Sequence, residues 1–159
     1  MPTDPSPPST RPHRAGLRLM TVSDPEQAAL AKLLQAEHLP TDDLGSGPAR
    51  FFALVDGDRW CAVGGVEAYG PHGLLRSVVV PPEARGKGYG CEMVERLLRE
   101  MAARGVRDAY LLTTTAGDFF AHLGFVAIDR AAAPPAIAAT AQFAALCPAD
   151  AVLMRRDAQ

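Results

Sequence analysis

Apolar positions along the chain follow two rhythms. Short apolar or alternating runs occur at Leu17–Met20, Phe51–Val55, Arg59–Glu67, Leu74–Val80, Ala109–Thr113, Phe125–Ile128 and Ala151–Met154. Runs of this length between turn residues read as strands. Helical spacing appears at Ala29, Leu30, Leu33 and Leu34, and again at Val94, Leu97, Leu98 and Met101. In the second set Glu92, Glu95, Arg96, Arg99 and Glu100 take the remaining faces, as an amphipathic helix requires. The first helix starts at Ser23-Asp24-Pro25-Glu26, with Ser23 as cap, Pro25 in the first turn and Glu26 at the capping-box position. It is predicted to run to Leu39-Pro40, because proline pushes its predecessor out of helical geometry. The second helix spans Cys91–Arg104 and stops at Gly105, which suits a left-handed C-cap. A short helix over Ala116–His122 and an alanine-rich one over Pro134–Leu146 complete the set.

Asp56-Gly57-Asp58 and Tyr69–Gly73 read as turns, so the first strands form an antiparallel meander. The strand–helix–strand order from Leu74 to Thr113 then demands a parallel crossover within a mixed sheet. The fold class is α/β. Residues 1–15 hold five prolines and almost nothing apolar, and predict a disordered tail. That leaves residues 16–156 as one domain, long enough for a single core.

Composition removes several function classes. The net charge is −2 and the basic residues are scattered, so nucleic acid is not an expected partner. No apolar stretch approaches the roughly 20 residues of a membrane span, and no signal-peptide core opens the chain, so a cytoplasmic location is expected. Cys61, Cys91 and Cys147 are odd in number and widely spaced, which speaks against a disulfide framework or a metal site and for buried thiols.

The chemistry concentrates in the stretch VVVPPEARGKGYG, Val78–Gly90. Pro81 and Pro82 end the strand ladder. Gly86, Gly88 and Gly90 strip side chains from the turn that opens the next helix, so backbone N–H groups can approach an anion. The helix adds its unpaired N-terminal donors and the positive end of its dipole. Arg85 and Lys87 add charge. The spacing is neither GxxxxGK[ST] nor GxGxxG, which excludes two other phosphate loops.

This pattern, R-x-x-G-x-G after a strand and proline, resembles the acetyl-CoA signature of the GCN5-related N-acetyltransferases (GNAT). Phe119–Phe125, FFAHLGF, resembles the family's short helix ending in LGF. The resemblance implies a mixed, mostly antiparallel sheet with helices on both faces and a splayed parallel strand pair. It also implies acetyl-CoA as co-substrate and a small-molecule amine as acceptor, with homodimerisation compatible with the fold. The segments LLRSVVV, LLTTTAGDFFAHLGF and AATAQFAALCPADAVLMRR resemble the acetyltransferases of arsenic-resistance operons. That implies an arsenic-containing or other toxic amino-acid-like acceptor.

Carried onto this chain, the resemblance places the backbone of Arg85, Gly86, Lys87, Gly88, Tyr89 and Gly90 on the diphosphate. Val78, Val79 and Val80 lie along the pantetheine arm, Phe119 and Phe120 lie beside it, and a free N–H near Val78 polarises the thioester carbonyl. Glu67, at a strand end near the acceptor, is the candidate base; a solvated carboxylate is the alternative. Arg76, expected on the face of Val78 and Val80, either binds an acceptor anion or forms an internal salt bridge with Glu67 or Asp42. Ser77 and Thr113 are further acceptor contacts, and Asp42 and Asp43 either attract a cationic acceptor or are plain loop residues. His122 reads as a solvated helix residue. Phe120 stands where many members carry a tyrosine that protonates the departing thiolate, which phenylalanine cannot do. The competing functions are an acetyl-CoA-binding regulatory or sensor module, and a metalloid-binding thiol protein, which the scattered cysteines disfavour.

Overall fold

A computed structural model describes residues 16–146 and 149–159; the predicted tail and Cys147 lie outside the described residues. Seven strands form one sheet in the order β1-β2-β3-β4-β5-β7-β6. They are β1 (Leu17–Thr21), β2 (Arg50–Asp56), β3 (Arg59–Tyr69), β4 (His72–Val79), β5 (Asp108–Thr113), β6 (Val126–Ile128) and β7 (Val152–Asp157). The helices are α1 (Gln27–Ala36), α2 (Tyr89–Ala103), α3 (Gly117–His122) and the single turn α4 (Pro135–Ala138). The neighbours β1 to β4 pair antiparallel, as do β5–β7 and β7–β6; β4–β5 is parallel, as the crossover through α2 requires.

Each face of the sheet takes one helical layer. Met93, Val94, Leu97, Leu98 and Met101 of α2 bury against Phe52, Leu54, Ala62, Val66, Leu75 and Leu111, and Phe120 and Phe125 extend this core. On the opposite face Leu30 and Leu34 of α1 meet Phe51, Ala53, Val55, Val63 and Val79. Ile137 of α4 packs with Leu74, Tyr110 and Leu153. Period-two alternation along the strands generates both faces from one sequence, so Leu74 and Leu75 belong to different cores.

Three boundaries depart from the sequence pattern. Ser23 and Glu26 form the expected capping box, but around a 3₁₀ turn at Asp24–Glu26 that leads into α1. Helix α1 ends at Ala36, before the predicted Leu39, because His38 turns left-handed at φ 57° and closes the helix there. The alanine-rich stretch is not one helix. Thr140 Oγ donates to Ile137 O at 2.7 Å and accepts from Phe143 N–H at 3.2 Å. A hydroxyl that bonds locally competes with the helical ladder, and a wide π turn over Gln142–Leu146 follows.

Candidate active site

Strands β4 and β5 share only three residue pairs, His72–Leu74 with Asp108–Tyr110. Beyond Leu74 they diverge. The reason lies in β4. Val63 pairs with Val79 and Gly65 with Arg76, so β4 carries one residue more than β3 over this span, a β-bulge. Ser77 sits in it at φ 57°, a left-handed conformation that costs a non-glycine residue about 1–2 kcal/mol. The bulge bends β4 away from β5 and breaks its alternation.

One consequence corrects the sequence reading: Arg76 does not share a face with Val78 and Val80. A Cβ on Gly64 would stand 3.4 Å from Val78 Cγ2 and 2.7 Å from Leu97 on the α2 side, whereas one on Gly65 would meet Phe51 at 2.8 Å and Arg76 Cγ at 3.3 Å. Arg76 therefore lies on the α1 face, with Phe51.

The gap between the strands is a cleft of about 690 Å³, lined by β4 from Leu75, by Leu111–Ala116, by Phe120 and by Glu37–Pro40 at the end of α1. A second lobe of about 250 Å³ lies over the head of α2, against Gly86, Gly88, Tyr89, Gly90 and Phe119. Val78, Val80 and Arg85 line both lobes, so the two adjoin. Gly86 and Gly88 adopt φ 79° and 82°, and Gly88 is the N-cap of α2. This is the left-handed turn that the alternate glycines allow. The N–H groups of Gly86, Lys87 and Gly88 reach no protein acceptor among the described residues. Arg85 differs: its N–H closes a turn on Pro82 O at 3.4 Å. Its side chain donates to Val80 O at 3.1 Å and pairs with Glu37, bridging β4 to the end of α1. Lys87 is exposed and Phe119 half-buried. The rings of Phe119 and Phe120 meet edge to face at 5.0 Å.

The other candidates separate. Ser77 and Thr113 line the larger lobe. Thr113 Oγ accepts from Ala116 N–H at 3.0 Å. Asp42 and His122 are exposed, and neither lines the cleft. Glu67 is 3% exposed and also lines neither lobe. Its carboxylate accepts from the Tyr69 hydroxyl and, at 3.4 Å, from Arg76. Arg76, with its side chain 1% exposed, forks onto Asp43, lies 5.2 Å over the Phe51 ring, and donates to Ser77 Oγ at 3.2 Å. Of the two readings of Arg76, this geometry is the internal salt bridge, with Asp43 in the place expected of Asp42. The Arg76 bonds hold the Asp43 carboxyl below its ordinary range. Burial and the Glu67 carboxylate push the Tyr69 phenol well above its ordinary value. Each oxygen of the two carboxylates has a donor or faces Arg76, and the buried Glu67 lies off the cleft, out of direct reach of an incoming amine.

Sequence reasoning missed His38, and it named Asp43 and Tyr69 without their partners here, Arg76 and Glu67. Those pairings lacked any signal beyond proximity in the chain. His38 concealed itself, since a histidine where glycine usually closes a helix reads as further helix.

A family model described as an acetyltransferase (GNAT) domain matches residues 47–127, just over half of the chain's 159 residues. Among solved structures the chain is similar to N-acetylglutamate synthase from Neisseria gonorrhoeae complexed with coenzyme A and N-acetyl-glutamate. The TM-score is 0.74 and the identity 16%, over 90% of this chain and 35% of that one. It thus spans about a third of that protein's length. Rv2747 from Mycobacterium tuberculosis, in complex with CoA, aligns with a TM-score of 0.72 and 19% identity over 88% of this chain and 98% of its own. The ribosomal-protein-S18-alanine N-acetyltransferase from Escherichia coli aligns at 0.67 and 16% over 90% and 94%. These likenesses show the fold. No curated protein matches the chain significantly. With its splayed β4–β5 pair, its mostly antiparallel sheet and the matched domain, the chain belongs to the GNAT acetyltransferase family.

Proposed function

We propose that the chain moves the acetyl group of acetyl-CoA to the amine of a small molecule, and that residues 16–156 are the single domain that does so. One observation carries this reading. The cleft between β4 and β5 adjoins the lobe over the head of α2, which offers neighbouring spaces to a long thiol arm and a diphosphate. Acetyl-CoA supplies an acetyl thioester already activated toward nucleophiles.

The chain's residues bind and orient. N–H groups of Gly86–Gly90 and the α2 N-terminus hold the diphosphate, with Arg85 and Lys87 adding charge. The main chain of Val78 and Val80 takes the arm as β5 would take it had the strands stayed paired. Arg85 releases Val80 O as the arm arrives. Val78 lines both lobes and so stands at their junction, where a main-chain N–H polarises the thioester carbonyl. Phe119 and Phe120 wall the arm from water. Phe120 offers no proton, but a thiol with a pKa of roughly 8.5 leaves acceptably as thiolate.

For the acceptor, the arsenic-operon resemblance of LLRSVVV and its companion segments supports an arsenic-containing amino acid. The absence of a hydroxyl at Phe120 favours one second reading, a module that binds acetyl-CoA with little turnover. Calorimetry with acetyl-CoA, followed by thiol release with L-glutamate, spermidine and an amino acid bearing arsenic on its side chain, decides between them. Binding with amine-dependent thiol release supports the enzyme. Binding without release supports the sensor, and no binding refutes both.

A further inference from the structure

Two non-glycine residues among the described ones hold a left-handed backbone, His38 and Ser77, and both line the β4–β5 cleft. Ser77 is accounted for by the bulge. His38 closes α1: its N–H donates to Gln35 O at 3.0 Å, and Leu39 N–H reaches back to Leu34 O at 2.9 Å. These are the paired bonds of a helix closure whose left-handed position glycine normally fills. A histidine there loses backbone stability, and such outliers mark sites where the side chain matters more than the turn.

Which residue can take a proton in this cleft? Its charged lining residues are Glu37, Arg76 and Arg85. Glu37 and Arg85 pair with each other, and Arg76 is tied to Asp43 and Glu67. Asp42, on the loop that follows α1, is exposed and lines neither lobe. Glu67, the carboxylate the sequence favours, is shut away beneath Arg76. Imidazole is the side chain that exchanges protons near neutrality. Among the described residues His38 is the one titratable lining side chain outside an ion pair.

We infer that His38 is the general base of this chain, positioned by the left-handed closure of α1 to deprotonate the acceptor ammonium. This rests on the acetyl-transfer reading. The ammonium N–H bond breaks and its proton moves to an imidazole nitrogen. The freed lone pair forms the N–C bond to the acetyl carbon, and the C–S bond breaks with its electron pair leaving on sulfur. The amide nitrogen's second proton passes to solvent, and the imidazolium returns its own to the thiolate or to water.

His38→Gly is the decisive variant, because glycine suits the backbone that histidine strains. Its thermal midpoint should rise, while kcat with the amine panel falls about 100-fold or more. KM for acetyl-CoA should stay within about threefold, and added imidazole should restore part of the rate. The pH profile of kcat/KM should change shape in His38→Gln, which keeps a polar side chain but takes no proton. Wild-type turnover with an undiminished His38→Gly rate overturns this inference alone. Loss of rate together with a lowered midpoint, and no rescue by imidazole, assigns His38 a structural role and also overturns it. Acetyl-CoA binding without any amine-dependent turnover in the wild type overturns this inference and the transferase reading together.

Discussion

Replacing Asp43 with asparagine tests whether the Arg76 network holds the cleft wall. The Arg76 side chain is 1% exposed and that of Asp43 16%, so the pair sits largely out of water. Removing one partner of a buried pair costs about 3–5 kcal/mol, because the remaining charge stays desolvated. Glu67 still faces Arg76 at 3.4 Å, and the new amide oxygen can accept one bond. The expected loss therefore shrinks to about 2–3 kcal/mol, against about 0–1 kcal/mol for an exposed pair. With a urea slope of about 2 kcal/mol per molar, the midpoint should fall by roughly 1–1.5 M. Trp60, the single tryptophan, packs beside the α1 core and serves as the fluorescence probe. The pH dependence has a fixed sign. Asp43's carboxyl is held below its ordinary value by Arg76. Its stabilising contribution is thus complete above the unfolded value of about 3.9 and disappears as pH falls through the lower folded value. The gap between wild type and Asp43→Asn should be full at pH 7 and should close in strong acid. A loss under about 0.5 kcal/mol at pH 7, or a gap that persists in acid, would refute the assignment of a buried ion pair.

Further outcomes follow from the same geometry. Gly88→Val forces a β-branched residue to φ 82° at the head of α2 and should weaken acetyl-CoA binding at least about tenfold by calorimetry, with near-native circular dichroism. Phe120→Ala removes a buried ring held edge-to-face by Phe119 and Phe125, and should cost about 3–5 kcal/mol in denaturant titrations. At Asp108 burial raises the carboxyl's pKa, but the bonds from His72 at 2.7 Å and Tyr110 at 2.9 Å outweigh it and hold the value below the ordinary one. Asp108→Asn should lose about 1–3 kcal/mol at neutral pH, and a pH–stability series should show that deficit vanishing as the solution is acidified.

Much of the fold was legible because its elements are locally consistent. The alternation in Phe51–Val55, the amphipathic face of α2 and the glycines of the loop each point the same way as the final packing. The loop was readable for a second reason: Gly86 and Gly88 serve the main chain, and main-chain demands show directly in residue type. The acceptor end was not readable. The bulge at Ser77 leaves no mark in VVV, yet it moves Arg76 to the other face. The choice of Asp43 over Asp42 depends on a loop's path, which period and propensity do not set. His38 was hidden because the structure violates the local rule there, placing histidine in a glycine position.

The two halves of the sheet meet along a very short seam. Three residue pairs, with the His72–Asp108 clasp at their base, join a four-stranded plate to a three-stranded one. Helix α2 packs across both plates, but along the seam itself the main chains are riveted at one end only. Whatever lies along the open part of the seam acts as a zip, linking main chains that the protein leaves apart. Ligand affinity and global cooperativity are therefore coupled in this architecture, and amide hydrogens of β5 and β7 should exchange as a separate, faster group until the zip is closed.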